Sequence, residues 1–592
     1  MNRETRNCQN CKNEFVIEPE DFEFYSKIKV PPPTWCPECR MQRRLCFRNE
    51  RILYKRLENI HNNQVVSSYS SEVMAPIYNQ KDWWSDIWDP LAYGKDYDFT
   101  KPFFEQFKAL ARKIPWPALL NWNSVNSDYC SYTTDNKNCY LVFGGDYNED
   151  CSYATHNFYT KESLDLYWVE KCELCYELIY CENCYRLFNS QYCKNCTGSA
   201  YLFNCTNCHD CFGCINLKNR SHCILNKQYS KEEYEEKLKE LKLGDREHRK
   251  KFEKDFEELT LRHPFRYARI FKSVNCTGNN ISNSKNCIEC FDTYENAEDL
   301  KNIVIAGWGL KDARSGSHNG HKSELIYESI IVFDQSSNVR FSVAISTSQH
   351  ITYSWNCRSS HDLFGCVGLN SKEYCILNKQ YSKEEYEKLV PKIIAHMDEF
   401  LFTSRSGYAY RFGDFLPPEI SLFCYNETLA QEYFPLSKGA ALTKGFDWRE
   451  GESKDSCASL LSAKIPLNID QVQDSILDET LECAHLGRCN DQCSIAFRII
   501  SSELEFYKKN GVPLPTLCPN CRHYERARKR NPFKLWHRKC QCAGQKSSNG
   551  VYSNTASHSH SSNPCPTEFE TSYAPERPEI IYCEQCYQAE VV

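Results

Sequence analysis

The chain has 592 residues, 37 cysteines and a formal net charge of −6. One hydrophobic core does not extend over that length, so several domains are expected. So small a net charge does not argue for wholesale binding to nucleic acid or anionic lipid. The start, MNRETRNCQNC, carries no apolar leader, and no run of about 18 apolar residues could span a bilayer. A reduced, cytoplasmic protein without a membrane partner is expected, its cysteines binding metal or packing in a core rather than forming disulfides.

Residues 1–56 contain CQNC (Cys8, Cys11) and CPEC (Cys36, Cys39), two knuckles separated by 24 residues. That pattern places four thiolates around one tetrahedral zinc. The string CQNCKNEF…FEFYSKIKVPPPTWCPECR resembles the small bacterial zinc-ribbon, treble-clef-like domain. The resemblance covers about forty residues and implies zinc and compactness. Arg40, Arg43 and Arg44 lie in the basic segment 40–56. A phosphate-contacting segment and a solvated helix face both fit this composition. Residues 57–125 read as an aromatic and helical cap, with Trp83, Trp84 and Trp88 packing on the first coil of the adjoining repeat region.

Residues 126–226 hold a cysteine ladder. Cys130, Cys151, Cys172, Cys193 and Cys214 recur at an interval of 21 residues, and the other ladder cysteines lie multiples of three away. A fixed period of this kind predicts a parallel β-solenoid of 21-residue coils with a cysteine-lined interior. Leucine, alanine and threonine alternate with cysteine along the inward columns, which is core behaviour. Residues 227–270 read as a charged helical hairpin protruding from the solenoid. The solenoid resumes over 271–378, because HDLFGCVGLNSKEYCILNKQYSKEEYE repeats HDCFGCINLKNRSHCILNKQYSKEEYE. The loop 309–324 carries His318 and His321 and is expected to be exposed. The His–Asp neighbours of the two HDxFG strings are expected on opposite faces of a strand. Residues 379–482 form a helical and loop connector with a helix over NIDQVQDSILDETL, and Cys424 and Cys457 isolated and buried.

Residues 483–539 repeat the first module at an offset of 482, so Cys493, Cys518 and Cys521 stand where Cys11, Cys36 and Cys39 stood. Cys489 completes the set as C-x3-C, with Cys483 and His485 in reserve. A second basic tail comes after it, with Arg522, Arg526, Arg528, Lys529 and Arg530 among aromatic residues, which suits phosphate contact with base stacking. Residues 540–592 assemble a third zinc set from Cys542, Cys565, Cys583 and Cys586, with Cys540 the alternative first ligand. A Ser/Asn/His-rich loop carrying His558 and His560 interrupts it and reads as mobile.

Over nearly its full length the chain is similar to a group of large cysteine-rich bacterial proteins with terminal zinc ribbons, a DWWS…WDP segment and a CENC-type repeat. The expected architecture is multidomain and mainly β: a central parallel β-solenoid interrupted by helical hairpins and flanked by zinc ribbons. About three zinc ions per chain are expected. The expected role is a non-enzymatic scaffold presenting the solenoid to a macromolecular partner, with a nucleic-acid-associated protein as the alternative. Fully thiolate-bound zinc leaves no open position for catalysis.

Overall fold

The computed structural model describes residues 2–450 and 458–591, so Cys457 lies outside the described residues. The protein is mainly sheet, with two stacks of parallel strands as its centre and a cysteine-bearing module at each end. The first stack is a nine-stranded sheet whose strands follow in chain order from Tyr140–Phe143 to Lys227–Gln228. Its repeat is 12 residues rather than 21: Ser152 pairs with Leu164, Leu164 with Tyr176 and Tyr176 with Phe188.

The backbone explains that number. From Tyr132 to Leu225 every third residue has a positive φ. A left-handed residue turns the chain, and four three-residue steps bring it back over itself at strand spacing. Such residues cost roughly 1–2 kcal/mol each, least for glycine, asparagine and aspartate. Asp135, Asn138, Asp150, Asn183, Asn195, Asn207 and Asn219 hold some of these positions, while bulkier residues such as Tyr153, His156, Trp168 and Leu174 hold others. Their side chains bond along the stack: Asn195 Nδ2 donates to Asn207 Oδ1 at 2.9 Å, and Asn207 Nδ2 to Asn219 Oδ1 at 3.0 Å. The 21-residue interval is one full repeat plus three further steps, so Cys130 and Cys151 stand in different columns. The true columns are Cys172, Cys184, Cys196 and Cys208, and beside it Cys181, Cys193 and Cys205.

These thiols are interior groups, packed with Val142, Leu166, Leu178 and Leu202. Most have two carbonyls within donor reach, one two residues back and one nine residues on; Cys175 Sγ lies 3.2 Å from Glu173 O and 3.6 Å from Cys184 O. Among the described residues all cysteines are free thiols.

In the second stack successive strands alternate between an eight-stranded and a nine-stranded parallel sheet. Its register steps are 13 and 12 residues, as in Glu298 with Lys311 and Gln349 with His361. The interior here is aliphatic, with Ile281, Leu300, Ile326, Val339 and Ile351. Both stacks end alike, in an antiparallel pair followed by a helix that a serine caps: Ser230 before Lys231–Glu240 and Ser382 before Lys383–Glu399. In each, the glutamate three residues on returns a bond to the serine backbone. The repeated ILNKQYSKEEYE is therefore a stop signal.

The helices after the first stack do not project into solvent. Arg246–Leu261 lies on the ladder, with Phe252 4.6 Å from Phe212 and 5.3 Å from Tyr201 between ring centres. The stacks lie side by side: Tyr180 donates to Asp292 at 3.0 Å, and the His156 and His318 rings meet at 5.7 Å. The aromatic cap serves both stacks. Trp84 touches Trp122 at the start of the first stack, while helix Phe103–Lys113 packs Phe103 on Tyr353 and Phe364 of the second. Within the connector the expected second helix is two short 3-10 turns, Ile469–Gln471 and Asp474–Asp478, and Cys424 is only half-buried.

Candidate metal centres

Three sets of four thiols converge: Cys8, Cys11, Cys36 and Cys39; Cys483, Cys493, Cys518 and Cys521; and Cys540, Cys565, Cys583 and Cys586. In each set the sulfurs lie within 4.8 Å of one another, so each could hold a metal ion. The three share one local design. A cysteine ends an extended segment, a helix begins at once, and a second cysteine sits in its first turn: Cys36 before Pro37–Leu45, Cys518 before Pro519–Arg528, Cys583 before Glu584–Val591. Proline at the first helical position of the first two suits a site whose N–H has no helical acceptor. In each, the N–H of the first helix cysteine donates to a distant sulfur: Cys36 to Cys8 at 3.2 Å, Cys518 to Cys483 at 3.3 Å, Cys583 to Cys540 at 3.2 Å.

This recurring N–H···S bond identifies Cys483 and Cys540 as the counterparts of Cys8. Cys489, expected in the second set, instead belongs to a neighbouring group with His485, Asp491 and Cys521, 3.7 Å from Cys521. Cys542, expected in the third, belongs to a group with His558, His560 and Cys586. The first knuckle is closed by two residues in the N-terminal module but by long insertions in the other two. Compact-knuckle spacing misses this because lengthening a loop adds little closure entropy.

The helix-start thiols sit below the ordinary thiol range. Hydrogen bonding from Cys39 brings Cys36 to about 5, and bonding from Cys540 brings Cys583 to about 4. Cys518 moves the same way, chiefly through Cys483. A thiolate beside a helix N-terminus and sulfur donors is poised as a metal ligand.

The basic residues do something other than line a surface. Arg40, Arg43 and Arg44 are buried around one carboxylate, Glu328 of the second stack, at 3.1, 3.5 and 3.2 Å. The three guanidiniums hold Glu328 below the usual carboxylate range against the opposing effect of burial. In the C-terminal module Arg522 and Arg526 are buried on Asp165 of the first stack at 3.2 and 2.9 Å, and Arg526 also reaches Glu177 at 2.9 Å. Arg530 is buried on Glu432 at 3.0 Å. The expected surface role does not hold for these six: each already has a carboxylate partner in the interior. Arg528 pairs with Asp491 at 2.7 Å, its side chain 55% exposed, and Lys529 is exposed.

The two modules thus dock alike, one on each stack. The offset of 482 pairs Arg40 with Arg522, Arg44 with Arg526 and Tyr25 with Tyr507. Tyr25 packs on Tyr327 of the second stack at 5.3 Å, and Tyr507 on Tyr176 of the first at 5.9 Å. Asp165, Glu177, Glu328 and Glu432 were not signalled in the sequence, because single carboxylates scattered over strands, a bend and a short helix carry no spacing pattern.

Two further expectations change. His318 is buried in strand Ser317–Asn319, not exposed in a loop, and burial holds it well below the usual imidazole range. His361 and Asp362 meet at 2.9 Å rather than facing apart, because Asp362 is left-handed (φ 52°). A cleft of about 530 Å³ opens between the first stack, helix Arg246–Leu261 and helix Pro519–Arg528, lined by Tyr201, Arg249, Lys250, Glu253, Glu525 and Lys529 among others. Among the described residues no helix is long and apolar enough to cross a membrane. No family model matches the chain, and no curated protein matches it.

Proposed function

We propose that this chain is a non-enzymatic zinc-binding scaffold. Its terminal modules are zinc ribbons, its strand stacks are parallel β-solenoid blocks, and their joint surface receives a macromolecular partner. One observation carries this reading: the helix that completes each of the first two thiol sets is the same helix whose arginines pin its module to a stack. Four thiolates close the zinc sphere and leave no place for water. A metal in that position organises an interface rather than a reaction. The cleft beside the C-terminal module, with both signs of charge and an aromatic floor, suits a protein surface better than a uniform phosphate strand.

The test is affinity capture by the full chain against a variant carrying Arg249→Glu and Lys529→Glu. One defined partner retained by the intact chain and lost by the variant, with metal content unchanged, is the expected result. Equal capture by both forms would refute the cleft as the binding surface. Salt-sensitive binding of a mixed-sequence nucleic acid, abolished by Arg528→Ala and Lys529→Ala, would replace the scaffold with phosphate recognition.

A further inference from the structure

The loop between Cys540 and Cys565 is not the free insertion that its Ser/Asn/His composition suggests. Glu590 of the last helix ties it down. Its carboxylate, fully buried, accepts from Tyr552 OH at 3.0 Å, from the Thr555 N–H and hydroxyl at 2.8 Å each, and from the Ala556 N–H at 3.2 Å. The same carboxylate holds His558 Nε2 at 2.7 Å, so the Nδ1 of that ring is left without this role. His560 is oriented the opposite way round. Its Nδ1 donates to the Asn563 carbonyl at 2.6 Å, which leaves Nε2 as the free lone pair, 3.3 Å from Cys586 Sγ. Asn554 Nδ2, steered by Tyr582 OH at 2.7 Å, donates to Cys542 Sγ at 3.1 Å. One ring nitrogen of each histidine, Cys542 Sγ and Cys586 Sγ all lie within 4.8 Å of one another.

An imidazole whose second nitrogen is fixed by a carboxylate or a backbone carbonyl is the usual form of a metal-ligating histidine. Two such rings converging with two buried sulfurs make a four-donor set of the Cys2His2 kind. Hydrogen bonding within the cluster does not explain Cys542, which the four-thiol set leaves out. We propose that the third module, residues 540–592, holds a second zinc-class divalent ion between Cys542, His558, His560 and Cys586, with Cys586 bridging it to the ion of the four-thiol set. Thiolate and imidazole donors together select zinc over harder cations. A shared thiolate spreads its charge over two ions, and the long insertion becomes one wall of a two-metal cluster. The site rests on the zinc reading of the four-thiol sets.

The experiment counts metal by native mass spectrometry on the full, untagged chain under reducing conditions, and reads 113Cd NMR of the cadmium-loaded chain. The intact chain is expected to carry one divalent ion more than His558→Ala/His560→Ala. Its cadmium spectrum should hold one resonance in the sulfur–nitrogen range, coupled to a four-sulfur resonance through Cys586 and absent from the variant. Equal metal content in the two forms, or an intact chain with four-sulfur resonances alone, would overturn the second site and leave the four-thiol sets standing. A sulfur–nitrogen resonance with no coupling would overturn the bridge. Cys565→Ser tests the parent reading separately, since it touches only the four-thiol set: release of no ion there would refute that set. If the histidine variant does not fold, the intact chain's spectrum decides alone.

Discussion

Glu328 balances three buried guanidiniums. They surround it away from water, and removing its charge leaves Arg40 and Arg44 without their carboxylate partner and Arg43 with only the neighbouring Asp414, in a medium that solvates cations poorly. Glu328→Gln is therefore expected to cost about 3–5 kcal/mol, read as a lowered urea midpoint, with the N-terminal module released first. Asp165→Asn, which strips Arg522 and Arg526 of their shared partner, should act alike on the C-terminal module. Lys529→Ala, on an exposed position, should stay within about 0.5 kcal/mol of the parent. At the thiol sets, on the metal-bound reading proposed above, Cys39→Ser should release one ion per chain and free helix Pro37–Leu45, because structural metal binding is itself folding free energy. Metal analysis beside a thermal melt checks both effects.

Within a stack the demands alternate every three residues. The inward position wants a small or medium apolar side chain, and the left-handed position wants asparagine, aspartate or glycine. Asn207→Gly should be nearly neutral on folding, losing only the side-chain ladder to Asn195 and Asn219. Asn207→Val should cost about 1–2 kcal/mol, since a branched Cβ clashes with the following carbonyl in this conformation. Leu178→Ala, in the fully buried column beside the thiols, should cost about 2–5 kcal/mol through the cavity it leaves. Chemical denaturation of the three variants separates the backbone demand from the packing demand. The stack's element pattern was only half legible: the triplet phase is printed in the cysteines, and the 12-residue return is carried by the short runs Cys172, Cys184, Cys196 and Cys208 and Cys181, Cys193 and Cys205. Elsewhere leucine, serine and threonine replace cysteine within the columns, so the longer 21-residue coincidence stands out over the true period.

Across the whole molecule the stacks meet at His156 and His318, beside Arg48 and Glu50. His318 Nε2 lies 3.6 Å from Glu50 Oε1, and Arg48 opposes protonation. Burial lowers both imidazoles below their ordinary value. An unfolded histidine takes up its proton near about 6.5, so below that pH the unfolded chain binds more protons than the folded one. The contribution of this pair is complete above about pH 6.5 and declines as pH falls. His318→Gln should flatten that dependence, and melts taken between neutral and mildly acidic pH read the slope. Loss of stability on raising the pH through the same window would refute the assignment.

What the sequence determined by itself is local. Cysteines at knuckle spacing, a proline after the helix-start cysteine, the triplet phase of the ladder and the serine-capped stop signal all act over a few residues, so each is visible in one short string. What only the tertiary structure decided is which distant groups meet. Cys483 and Cys540, not Cys489 and Cys542, complete the thiol sets because loops of very different length close at similar cost. The arginines that look like a phosphate-binding face are turned inward because each module's helix meets a buried carboxylate of a stack that no sequence pattern announces. Charge composition is a property of the chain. Whether that charge faces water or a buried partner is a property of the packing.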